Sequence, residues 1–141
     1  MTPSHASFTL HVRSAVDAIA PATARAEAWL VEHQASADAS YLVSLAIEEL
    51  VTNCIKYGYR DTAEHIIDIV LSVSDRALSM EVIDDGQPFN PLDAPPPDLS
   101  LALEKRRLGG LGLHLLRELA DDVRYERRDG TNRLVLTKRM R

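Results

Sequence analysis

An α+β two-layer sandwich, with a mixed, mostly antiparallel sheet and helices on one face, is the fold class this sequence predicts. Three observations carry that prediction. Segments of two-residue hydrophobic alternation stand in adjacent pairs, segments with helical spacing stand apart from them, and both follow the order strand, helix, helix, two strands, long loop, helix, two strands. Adjacent strands with short links form antiparallel hairpins, whereas a doubly wound parallel sheet needs strands and helices in alternation.

The elements follow in order. Phe8, Leu10 and Val12 alternate with Thr9 and His11, the period of a half-buried strand over residues 7–12. Residues 17–34 are rich in Ala, Glu, Arg and Leu and carry Ile19, Trp29 and Leu30, so a helix is expected with Pro21 near its start. A short connection at 35–39 supplies serine and aspartate for a cap. The next helix, 40–57, spreads Leu42, Val43, Ile47, Leu50 and Val51 over a wide apolar arc, and Gly58 ends it.

Two strands, 65–73 and 77–84, then put Ile67, Ile69, Leu71 and Val73, and Leu78, Met80 and Val82, on one face each. Ser74 and Asp75 link them as a hairpin. After Asp85-Gly86 come Pro88, Pro91 and the run Pro95-Pro96-Pro97, in a connection of roughly twenty residues, the length of a functional lid. A third helix starts near Gly110, and strands 123–128 and 133–138 close the chain around Asp129-Gly130.

With 141 residues and 45% hydrophobic side chains, a single domain over the whole chain is expected. Sixteen basic against 21 acidic residues give a net charge of -5, which argues against direct nucleic-acid binding. One cysteine, Cys54, excludes an intramolecular disulfide. Residues 1–10 lack a signal-peptide pattern, and no apolar run approaches the ~20 residues of a membrane span. A cytoplasmic protein without membrane contact is the expectation.

Several polar residues sit where packing alone would not put them. Glu49 and Asn53, four apart, share a half-buried helix face; they are either a polar pair reaching solvent or a general base beside a metal-binding amide. Strand alternation sends Asp84 to the core side with Val82 and Met80, where a carboxylate needs a donor, while Asp85-Gly86 has the residues of a turn. Gly109-Gly110-Leu111-Gly112-Leu113 stands where the long loop becomes a helix, and glycines there open backbone N–H groups to an anion. Lys105, Arg106 and Arg107 precede it and suit phosphate oxygens or a solvated surface. The five histidines show no zinc-binding spacing, and the charged run 124–129 is most simply a solvated hairpin.

Taken in order, Glu49-Leu50-Val51-Thr52-Asn53, Asp84-Asp85-Gly86 and Gly110-Leu111-Gly112-Leu113 resemble the N, G1 and G2 boxes of the Bergerat-fold ATPases. The wording of 81–91 and 109–127 is most similar to the anti-sigma regulatory factors, which are serine/threonine protein kinases. That resemblance implies ATP and Mg2+ as cofactors. It implies that Glu49 activates the attacking hydroxyl, Asn53 holds Mg2+, Asp84 accepts the adenine amino group and Gly86 leaves room for the base. By the same likeness Gly110, Gly112 and Leu113 cradle phosphate under a lid at 91–108, with Lys56 and Arg106 or Arg107 as candidate phosphate contacts. The implied partners are an anti-anti-sigma (STAS-domain) protein, a sigma factor and a second copy of the chain. Two departures stand out: Tyr57 where a histidine is frequent, and Gln87-Pro88 where the first glycine box usually continues with glycines. A non-catalytic, nucleotide-gated binding module is the alternative function.

Overall fold

The structure, a computed structural model, describes residues 5–93 and 110–140. In chain order the elements are β1 (His5–Arg13), α1 (Ile19–Glu32), α2 (Ala37–Asn53), β2 (Ile66–Ser74), β3 (Ala77–Asp84), α3 (Gly110–Leu119), β4 (Asp122–Arg128) and β5 (Thr131–Arg139). The strands form one sheet in the order β1-β2-β3-β5-β4, antiparallel at every pairing.

Register follows from the alternation. Phe8 lies opposite Leu71, Leu71 opposite Met80 and Met80 opposite Leu136, so the apolar residues of successive strands fall on one face. A one-residue slip would turn that whole row to solvent. Leu30 of α1 and Leu42, Val43, Ile47 and Val51 of α2 are fully buried and join these strand residues in one core. Each such side chain contributes roughly 1.5–3 kcal/mol on burial. Trp29 stacks on Phe8 at 5.7 Å between centroids, tying α1 to β1.

Two helix boundaries that differ from expectation are set by capping interactions. α1 stops at Glu32 because Ala35 N–H reaches Leu30 O and Gln34 N–H reaches Val31 O, with Gln34 at φ 58. This is a Schellman ending built without the usual glycine, so the sequence offered no stop signal. α2 begins at Ala37 because Ser36 Oγ accepts the Ala39 N–H. Its far end differs more: at Asn53 the α-helix passes into a π-helical turn, Cys54–Gly58. Both hairpin turns have two residues of positive φ, Asp75-Arg76 and Asp129-Gly130, which matches the twist of the strands they join.

Pro91–Asp93 forms a single 3-10 turn, and the rest of the expected lid lies outside the described residues. No described helix is long and apolar enough to cross a membrane.

Candidate active site

The last turns of α2 and the end of β3 meet over a cleft that β4 and β5 close from the other side. Leu50, Asn53, Val82, Asp84, Asn132 and Leu134 are among the residues lining it. Its walls are largely apolar, with a few polar groups converging on one end, the usual construction of a small-molecule site.

Asp84 anchors that polar end. Its Oδ1 accepts the Gly86 N–H at 2.9 Å and one Asn132 Nδ2–H at 2.9 Å. Both nitrogens donate to Oδ1, and the Cys54 thiol lies against the same carboxylate. Asn132, 5% exposed, uses all its capacity: Nδ2 also donates to Gln87 O at 2.8 Å, while Oδ1 accepts from Tyr125 Oη and from the Phe89 N–H. Turning the amide over would set its oxygen against the Asp84 carboxylate, so the orientation is fixed by charge.

The π-helical turn matters here. It carries Gly58 to the loop after β3, where Gly58 O accepts the Gln87 N–H at 2.7 Å. A Cβ on Gly86 would lie 2.6 Å from Gly58 O and 2.9 Å from Asp84 Oδ1, so only glycine fits between them. Gln87 adds side-chain bonds, accepting from Arg60 Nε and donating to Tyr57 O, and Arg127 Nη1 donates to Gly86 O at 2.7 Å. The Gln87 that departs from the glycine-rich pattern is therefore a clamp on this loop.

Cys54 also lines the cleft. Burial first, then the neighbouring Asp84 carboxylate, push its thiol well above the ordinary range, so it stays protonated. On the outer side of the loop His65 stacks on Tyr59 at 3.8 Å and bridges Asp61 and Asp85. Bonding to Asp61 foremost raises the His65 pKa.

Glu49 and Asn53 part company in their surroundings. Asn53 is 7% exposed and lines the cleft, and its Nδ2 is buried without a partner. Glu49, one turn earlier, stands against α3: a Cβ on Gly112 would overlap its carboxylate. Burial, then the charge of Glu48, raise the Glu49 pKa, and Lys56 opposes them. Lys56 itself is exposed and does not line the cleft. Leu113 is buried in the core between α3 and the rest. Gly110 begins α3, while Lys105, Arg106 and Arg107 fall outside the described residues.

Three polar residues of this site escape a reading of the sequence: Asn132, Tyr125 and Arg127. The run 124–129 is not simply a solvated hairpin, since Tyr125 donates to Asn132 of β5 and Arg127 to Gly86 O in the loop after β3. A usable signal existed for Asn132, because alternation from Leu134 and Leu136 puts it on the core face just as it does Asp84.

The family model for the histidine kinase-like ATPase domain matches residues 12–138. The chain belongs to that family. Among relatives of this ATPase domain, the serine/threonine-protein kinase BtrW of Bordetella bronchiseptica is 30% identical over 102 residues, 72% of each chain. The serine-protein kinase RsbW of Listeria monocytogenes is 29% identical over 68% of this chain and 63% of its own length. An anti-sigma F factor of a Thermoanaerobacter species is 32% identical over 66% of this chain and 64% of its own. The aligned stretch thus spans just under two thirds of the last two. A crystal structure of the RsbU and RsbW domains of Rv1364c from Mycobacterium tuberculosis shares the fold, with a TM-score of 0.68 at 21% identity over 95% of this chain and 32% of that one.

The residues present fit a nucleotide and its metal. The Asn53 Nδ2–H, buried without a partner, calls for an acceptor such as a phosphate oxygen and leaves the carboxamide oxygen for a cation, while the Asp84 carboxylate and the glycine gap at Gly86 suit a base.

Proposed function

We propose that this ATPase domain is an ATP-dependent protein serine/threonine kinase that phosphorylates an anti-anti-sigma protein of the STAS class and sequesters a sigma factor. The reading takes the chain as one domain that works as a homodimer in the cytoplasm. One juxtaposition supports it most: Asp84 and the unpartnered Asn53 amide share a cleft, and Glu49 stands one helical turn from Asn53.

In this reading Asp84 accepts the adenine amino group and Asn53 holds Mg2+ by its carboxamide oxygen. Held there, the ion would supply positive charge against the negative charge of the phosphates. Glu49 accepts the proton of a serine or threonine hydroxyl as its oxygen attacks the γ-phosphorus. The new O–P bond forms while the bond from γ-phosphorus to the β,γ-bridging oxygen breaks, and ADP leaves with that electron pair. A carboxylate whose pKa is raised by burial is a better base than an ordinary glutamate.

The test is transfer of label from γ-labelled ATP to a co-encoded STAS protein. Wild type is expected to label one serine or threonine, and Glu49→Gln to lower the rate about 100-fold or more while still binding nucleotide. ATP-dependent capture of the partner by both proteins, with no label in either, would instead establish the nucleotide-gated binding module.

A further inference from the structure

We infer that Gly112 is a positioning residue for Glu49: its missing side chain is the seat in which the Glu49 carboxylate rests. The inference builds on the kinase reading and assigns this glycine a duty beyond admitting phosphate. A Cβ built on Gly112 would overlap the Glu49 Cδ and both carboxylate oxygens, so the carboxylate occupies the space a side chain there would take. α3 cannot retreat to relieve the overlap, because Leu113 and Leu116 are buried in the core on the following turn.

The two glycines of the site differ in what they face. At Gly86 the obstacle is backbone, the Gly58 carbonyl. At Gly112 it is the far end of a flexible side chain, which can swing away. A methyl at position 112 therefore leaves the fold in place and moves the base. Alanine keeps the backbone N–H that a phosphate would use and is the better helix former. Gly112 also does not line the cleft that Asp84 and Asn53 share. The loss should fall on the transfer rate and spare nucleotide binding.

The experiment compares wild type, Gly112→Ala, Glu49→Asp and the double variant in labelled phosphate transfer, Mg·ATP calorimetry and thermal melting. Gly112→Ala is expected to bind Mg·ATP within about threefold of wild type and to lose transfer by roughly 10- to 100-fold, the cost of an ångström-scale misplacement. The double variant should transfer as fast as Glu49→Asp alone, because the carboxylate shortened by one methylene clears the methyl and Gly112→Ala then costs nothing further. Wild-type transfer by Gly112→Ala overturns the seat and leaves the kinase reading standing. A Gly112→Ala loss as large on the Glu49→Asp background as on wild type also overturns it. Absence of transfer by wild type removes the kinase reading and the seat with it. Should Gly112→Ala melt early, Glu49→Ala combined with Gly112→Ala restores melting if the carboxylate is what the methyl meets. No restoration overturns the seat.

Discussion

The two ends of the cleft are built on opposite principles. Around Asp84 the polar groups that shape the pocket bond within the protein, through Asn132, Tyr125, Gly86 and Gln87. At the other end the Asn53 Nδ2 is buried without a partner, and the Glu49 carboxylate is partly buried against the glycine of α3. A closed network makes a shape that exists before the ligand arrives. Unpartnered groups store a cost that a ligand relieves. The Asp84 end is therefore rigid before a ligand arrives, and the Asn53 end is the one a ligand would complete.

The largest effect should come from changing the Asp84 carboxylate at the rigid end. Asp84→Asn can keep Oδ1 on the Gly86 and Asn132 donors, so the local network survives with its count of bonds intact. The other position then becomes an NH2 group. It faces the ligand with a donor where an acceptor stood, and two donors cannot pair. Calorimetry is expected to show Mg·ATP binding weakened by at least about 100-fold, since such a mismatch costs several kcal/mol in a buried site. The far-ultraviolet spectrum should stay that of wild type.

Asn132→Ala should act the other way, on stability first. It removes the donor to Gln87 O and the acceptor of Tyr125 Oη and the Phe89 N–H, besides a donor to Asp84. Losing the hub of a buried network costs about 2–4 kcal/mol. Urea unfolding would show it as a lower midpoint with the slope unchanged. A loss under about 0.5 kcal/mol would mean that the rigid end is not rigid by virtue of this residue.

The fold was readable because its signals were local and redundant. Alternation named all five strands, and Asp129-Gly130 marked one turn unambiguously. What escaped depended on contacts between distant segments. Nothing in Cys54-Ile55-Lys56-Tyr57-Gly58 announces a π-helical turn, because that turn is needed only once Gly58 must meet Gln87 across the cleft. Asp84 could be found alone, as an inward carboxylate, but its partner Asn132 lies 48 positions away. Glu49 and Asn53 looked like one pair by spacing. They became two distinct environments only when α3 packed over the first and the cleft opened beside the second.

The smallest effect concerns the unpartnered end, and its sign differs between activity and stability. Burial and Glu48 raise the Glu49 pKa while Lys56 lowers it. A base must be ionised, so transfer should fall as pH drops through a value above that of an ordinary glutamate. Lys56→Met removes the opposing charge and should move that acid limb to still higher pH, and Glu48→Gln should move it down. Both charges act through solvent, so added salt should shrink both displacements. Stability runs the opposite way. With the folded pKa raised, the contribution of Glu49 is fully present below its unfolded pKa and is lost as pH rises through the folded one. Near neutral pH the ionised side chain is therefore a cost to the fold, and Glu49→Gln should melt no lower than wild type. A variant that melted well below wild type would mean that the carboxylate is held by partners strong enough to outweigh its burial. The Glu49 end would then be as closed as the Asp84 end.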